Sequence, residues 1–252
     1  MSGATGGTTV TSSSTPNTMG AWVSLGTSPA YGLNCLRLTQ RQNTTNNYGT
    51  CLFNIGFGAS GSQVVVVPSL TASLTGISHT TASFEVPLFI PPNTEIWVQV
   101  QDSVGGTTYG IQGELDFRAD WPMSPGGVTP LGIVSTTSSG TLIAAGASYN
   151  TIYTASLFTT PARAFRRFLA VLTTQSTGYY ATVAWRFQTS GGVPLMPYKH
   201  FPYNGGSDST QLMGSHHLSN VLIPASTAID LQYQYVANST SFNFNCALYG
   251  FN

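Results

Sequence analysis

The chain has 252 residues, 41% of them hydrophobic, with eight basic and eight acidic side chains, zero formal net charge and only 6% charged residues. That neutrality excludes electrostatic capture of nucleic acid or an anionic membrane surface, and the hydrophobic content excludes a disordered chain. The length suits one large domain or two ordinary ones. Because average soluble domains carry roughly 25% charged residues, the polar surface here must come from Ser, Thr, Asn, Gln and Gly. Such a surface is cheaper to desolvate than a charged one, as expected of a subunit packed against neighbours; a neutral secreted β protein is the other reading.

Residues 1–19 are mostly Gly, Ser and Thr, a flexible-arm composition that cannot bury enough to fold alone. It is held either by a neighbouring subunit or by its own domain. The arm has neither a basic n-region nor an apolar h-region, so it does not read as a signal peptide, and the chain is expected to stay in a cytoplasm. From Ala21 onward, runs rich in Val, Ile, Thr, Tyr and Phe alternate with Gly, Pro, Asn and Ser clusters, which is a strand pattern. Strands are predicted at 50–57, 63–68, 83–90, 95–101 and 109–117. In 95–101, Ile96, Val98 and Val100 alternate with polar or interfacial residues, placing one face inward. Residues 119–147 read as a linker, with Trp121 as an anchor on a domain surface. Further strands are predicted at 167–173, 179–188, 218–223, 228–236 and 241–249. A short helix is compatible with 161–167, and 194–214 reads as an aromatic- and His-rich loop.

One element occurs twice. Ile90-Pro91-Pro92-Asn93-Thr94-Glu95-Ile96 is answered, 133 positions later, by Ile223-Pro224-Ala225-Ser226-Thr227-Ala228-Ile229, and Ser28-Pro29-Ala30 is answered by Thr160-Pro161-Ala162 at 132. A shift held across a half-chain implies two copies of one domain. Each Pro ends a strand because it cannot donate to a ladder, so the element reads as a strand–turn–strand corner. The expected fold is all-β: two tandem antiparallel, jelly-roll-like β-sandwiches at 20–118 and 148–252, joined by the linker and preceded by the extended arm.

Chemistry-bearing motifs are sparse. There is no nucleophile elbow, phosphate-binding or dinucleotide-binding Gly motif. His79, His200, His216 and His217 lack metal-ligand spacing, and His216-His217 on an extended segment face opposite ways. Asp116, Arg118 and Asp120 read as a charge-paired strand edge rather than paired glycosidase carboxylates. Cys35, Cys51 and Cys246 read as buried free thiols. The sequence thus points to no catalytic residue, metal or cofactor. Residues 1–118 hold three arginines against five acids and residues 119–252 five bases against three acids, a sign difference that favours head-to-tail contact. Candidate interface residues are the basic cluster Arg163, Arg166 and Arg167, the anchor Trp121, and Tyr198, Phe201 and Tyr203. Aromatics in a loop also suit stacking on a glycan.

The stretch Val86-Pro87-Leu88-Phe89-Ile90-Pro91-Pro92-Asn93-Thr94-Glu95-Ile96-Trp97-Val98-Gln99-Val100-Gln101 resembles segments of β-sandwich structural proteins of tailed bacteriophages. The low charge, Ser/Thr/Gly arm and tandem copies are similar in style to head-decoration and tail-accessory proteins. That resemblance implies a non-enzymatic virion subunit, a decoration or cement protein assembled in the host cytoplasm. Its partners would be the major capsid protein or tail proteins and copies of itself. A tail or neck protein, and a carbohydrate- or receptor-binding module, are the alternatives.

Overall fold

The computed structural model describes residues 7–42, 49–74, 81–119, 121, 127–144, 148, 150–174, 180–204, 215–237 and 243–251. Eight strands come first: β1 (Thr8–Thr11), β2 (Val23–Thr27), β3 (Leu33–Gln42), β4 (Gly49–Phe57), β5 (Val64–Leu74), β6 (Thr81–Ile90), β7 (Glu95–Asp102) and β8 (Thr108–Asp116). They form two antiparallel sheets, ordered β1-β8-β3-β6 and β2-β7-β4-β5. After a short strand β9 (Thr129–Leu131) and a 3-10 turn at Ser135–Thr137 come β10 (Thr141–Ala144), β11 (Ile152–Thr159), β12 (Arg167–Thr174), β13 (Tyr180–Thr189), β14 (Lys199–Asn204), β15 (Ser215–Ser219), β16 (Ala228–Ala237) and β17 (Asn243–Phe251). Their sheets are ordered β10-β17-β12-β15, with β9 added along β17, and β11-β16-β13-β14.

Adding nine to each label of the first pair of sheets generates the second pair, so both halves share one jelly-roll wiring. The repeated corner is alike down to its atoms. Ser28 Oγ donates to Pro91 O (2.7 Å) and accepts from Thr94 N–H (2.8 Å). Thr160 Oγ1 donates to Pro224 O (3.1 Å) and accepts from Thr227 N–H (2.8 Å). Asn93 and Ser226 both turn left-handed, with φ of 51° and 52°, and their N–H groups donate to Pro29 O and Pro161 O. Even the β-bulge between Ser24 and Gly26 reappears between Ser156 and Phe158.

Each sandwich has a core between its sheets. Leu36, Leu38, Phe53, Val98, Val100 and Ile111 belong to the first, and Phe168, Leu172, Trp185, Phe187, Leu231 and Leu248 to the second. Burying one such large side chain contributes about 1.5–3 kcal/mol. No helix of the described residues is long and apolar enough to cross a membrane.

Three expectations change, and one open alternative closes. The arm finds its partner within the chain: β1 pairs with β8, Val10 is fully buried, and Ser12, Asn17 and Gly20 bond to Thr107, Asp102 and Val100. Its order from Gly7 onward therefore needs no neighbour. The linker supplies two strands, β9 and β10, and β10 occupies in the second sandwich the place of β1 in the first. In both cases the backbone makes the ladder, so side-chain periodicity gives little sign of it. The loop at 194–214 contains β14, a sheet-edge strand, and at 161–167 a corner replaces the helix, Phe165 bridging Ile223 before β12 begins. Residues 205–214 of that loop lie outside the described residues.

Candidate assembly surfaces

Strands β12 and β17 are apolar on both faces. Phe168, Leu169, Ala170, Val171 and Leu172 are all buried, as are Cys246, Ala247, Leu248, Tyr249 and Phe251. One set (Phe168, Ala170, Leu172, Cys246, Leu248) faces the second core. The other (Leu169, Val171, Ala247, Tyr249, Phe251) joins the core of the first sandwich. An unbroken apolar run in an antiparallel strand is what burial on both faces requires, and the run at 168–172 carried that signal.

The edge that docks on this face is β5. A bulge at Pro68-Ser69, with Ser69 at φ 54° and its N–H held by Asn54 Oδ1 (2.8 Å), turns the edge outward. The Tyr249 hydroxyl donates to Ser69 O (2.7 Å) and accepts from Thr71 N–H (2.7 Å). It thereby satisfies two backbone groups that an edge strand would leave open. Burial raises the Tyr249 hydroxyl well above the ordinary phenol range, so it serves as a neutral bridge.

Trp121 lies at the same junction. It is 9% exposed, with the guanidinium groups of Arg118 and Arg167 at 5.9 and 5.8 Å from its ring centre. Asn34 holds the approach, donating to Arg118 O (2.8 Å) and Trp121 O (2.9 Å). The 3-10 turn is fastened to the first sandwich through Gln101 Nε2 to Ser135 O (2.6 Å), Thr50 Oγ1 to Thr137 O (3.1 Å) and Ser138 Oγ to Asn17 Oδ1 (2.8 Å). The stretch read as a linker is therefore a clamp.

The same face of the first sandwich has opposite chemistry. Arg37 pairs in register with Glu85 and Glu114. At the matching register of the second sandwich, Leu169 pairs with Leu218 and Tyr249. Arg37 contacts Glu85 at 2.8 Å and Glu114 at 3.0 Å, while Arg118 contacts Glu85 at 2.9 Å and Asp116 at 3.2 Å. The acids hold the Arg37 guanidinium above its ordinary value. Such solvent-screened pairs add little stability. Their effect is to make the face costly to bury against an apolar partner.

Two of the further surfaces open among the described residues lie at β5 and at β14. Between β5 and β6 an apolar groove of about 450 Å³ is lined by Phe57, Val65, Val66, Leu88, Phe89 and Val128, beside the exposed Val64 and Val65. The other is the β14 edge. Tyr198, just before it, lies under the Arg186 guanidinium (4.5 Å to the ring centre) and its hydroxyl bonds Gln232 Oε1, so one ring face is already covered. Phe201 and Tyr203 pair in the backbone with Val183 and Ala181, their side chains lying outside the described residues. Of the basic cluster, Arg163 and Arg166 are exposed. Arg163 stacks at 5.3 Å over Phe165, whereas Arg167 turns to the junction. The cluster thus divides, one member inward and two outward. The junction residues Tyr249, Leu169 and Leu218 were not legible as site residues, because their role depends on which sheet they meet.

The cysteines are buried and free. Burial raises the thiols of Cys35, Cys51 and Cys246 above the ordinary range, which disfavours the nucleophilic thiolate. The buried Asp102 accepts from Val104 N–H (2.9 Å), Gly105 N–H and Tyr109 Oη (3.1 Å), a carboxylate spent on a loop. Among the described residues no group of three His, Cys, Asp or Glu is placed to hold a metal ion. Asp116 is paired with Arg118; Asp120 and His79 lie outside the described residues.

The chain is thus an all-β protein of two like-wired antiparallel sandwiches. No protein-family model and no curated protein matches it. Among solved structures it is similar to the tandem CBM22-1–CBM22-2 domains of Paenibacillus barcinonensis Xyn10C, at 7% identity over 95% of this chain and 85% of that one, with a TM-score of 0.28. It is similar to the T=1 Penaeus vannamei nodavirus structure at 9% identity over 96% and 97%, TM-score 0.27. It is also similar to infectious bursal disease virus Gt strain at 12% identity over 87% of this chain and 58% of that one, TM-score 0.26. Likenesses this loose carry no weight for what the chain does.

Proposed function

We propose that this chain is a non-enzymatic structural subunit of a virus particle. The observation that carries the reading is the sheet of β12 and β17 buried on both faces, which welds two jelly rolls into one block. Such a block suits a part that transmits force between neighbours. With 6% charged residues, its outer surface away from the ion-paired β3–β8 face desolvates at low cost when packed. The like wiring and the repeated corner support descent from one duplicated domain, its copies running over β1 to β8 and β10 to β17.

The narrower reading is a head-decoration or cement protein of a bacteriophage, with tail or neck placement as the rival. Its partners would be the major capsid protein or tail proteins and further copies of itself, with no nucleic acid or membrane partner, and its location the virion, assembled in the host cytoplasm. Mass spectrometry of purified particles tests this. The chain should be present in fixed stoichiometry to the shell protein; consistent absence from particles sinks the reading.

A further inference from the structure

We propose that a groove at one corner of the first sandwich binds a neutral saccharide. The groove has a volume of about 430 Å³ and is lined by Thr27, Tyr31, Leu33, Leu115, Asp116 and Phe117, where the end of β2, the start of β3 and the end of β8 come together. Of the Phe, Tyr and Trp side chains that are described, only Tyr31 and Phe117 are exposed, at 64% and 55%, and both line this one groove. The like-wired half shows the same corner closed. By register and spacing, Phe165 stands where Leu33 does, Gly250 where Leu115 does and Phe251 where Asp116 does. The Phe165 ring is fully buried and lies so tightly on Gly250 that a Cβ there would collide with it. Arg163, at the place of Tyr31, covers that ring at 5.3 Å. In the first sandwich the smaller Leu33 and the polar Asp116 leave the space open, and the aromatic rings stand at its surface. An exposed ring forgoes the burial that ordinarily stabilises an aromatic side chain, so two of them at one open groove mark a contact surface.

A pyranose offers what this lining can use. Its axial C–H groups make an apolar face that packs on the negative face of an aromatic ring, and its hydroxyls donate to a carboxylate in short, charge-assisted bonds. The Asp116 carboxylate is half-exposed; its Oδ1 accepts from Phe117 N–H (2.8 Å) and its Oδ2 pairs with Arg118 (3.2 Å). Those contacts fill two of the roughly four acceptor positions of a carboxylate and leave the rest for hydroxyl donors. Among the described lining residues there is no base, which favours a neutral sugar over an anionic one. A proline-rich segment, another ligand of aromatic grooves, brings carbonyl acceptors to a site whose charged group only accepts, so its chemistry is the poorer match. The inference goes beyond the structural-subunit reading and does not depend on it.

The test is saturation-transfer difference NMR of the full chain with maltotriose, cellotriose and chitotriose, each titrated to about 10 mM, where even a millimolar Kd registers. At least one sugar should bind saturably. Tyr31→Ala and Phe117→Ala should each weaken that binding about tenfold and leave the thermal midpoint at the wild-type value, because both rings are exposed. Tyr31→Phe should keep the affinity close to wild type, since the ring face and not the hydroxyl makes the contact, and Asp116→Asn should weaken it several-fold. No binding of any of the three sugars overturns the inference, as does binding that survives both alanine variants. A polyproline peptide that binds where the sugars do not, and that the alanine variants release, gives the groove to a peptide and overturns it too. None of these outcomes bears on whether the chain is present in particles, which decides the structural-subunit reading separately.

Discussion

Replacing Tyr249 with Phe keeps the ring that fills the junction and removes one oxygen. That oxygen is 2.7 Å from both Ser69 O and Thr71 N, and Tyr249 is fully buried, so water cannot take its place without opening the junction. Two backbone groups are left unpaired, each costing about 1–3 kcal/mol. The expected loss is about 2–4 kcal/mol in urea unfolding, which for a chain of this size corresponds to a fall in Tm of roughly 5–15 °C. A second readout is cooperativity: with its bridge gone, the junction should loosen first, so near-ultraviolet dichroism and intrinsic fluorescence should report separate transitions. A variant within about 0.5 kcal/mol of wild type, unfolding in one transition, would refute the bridge as a determinant of the junction.

The repeated corner predicts equal penalties in the two halves. Ser28→Ala and Thr160→Val should each cost about 1–2 kcal/mol by thermal unfolding, since each hydroxyl both donates and accepts at the same place. Matched register positions predict unequal ones. Leu169→Arg buries a charge where the chain is 1% exposed and should destabilise by about 3–5 kcal/mol in urea, whereas Arg37→Leu removes only solvent-screened ion pairs and should change stability far less. The thiols should resist an aromatic disulfide reagent at pH 8 in the folded protein and react fully in denaturant, because burial raises all three above the ordinary range; rapid labelling of the native chain would contradict their placement.

Much of the β architecture was legible in the sequence, and the reason is local. Alternation in 95–101 and 228–236 places one face inward, and Pro91 and Pro224 stop a strand wherever they stand. The element Ile-Pro-x-x-Thr-x-Ile therefore announces its corner twice, and the structure makes it twice with the same hydrogen bonds. Local pattern left out β1, β2, β3, β9, β10, β11 and β14. All of these but the central β3 lie at a sheet edge or off the main ladder, where backbone ladders and a few buried contacts hold a strand, and Ser, Thr and Gly do that without a hydrophobic signature. Tyr198 likewise gave no sign in sequence that Arg186 would cover one of its faces.

Composition and spacing alone determined that this is a neutral all-β protein with a repeated corner. Tertiary structure decided which copy's face would be used. Leu169, Leu218 and Tyr249 stand where Arg37, Glu85 and Glu114 stand in the other half, and a strand looks the same from the backbone in both. Only docking of β5 against one of the two faces makes the apolar triad a junction and the charged triad a surface. The physical reason is that an apolar face gains free energy wherever it is covered, whereas an ionic one pays desolvation unless its partner is polar as well.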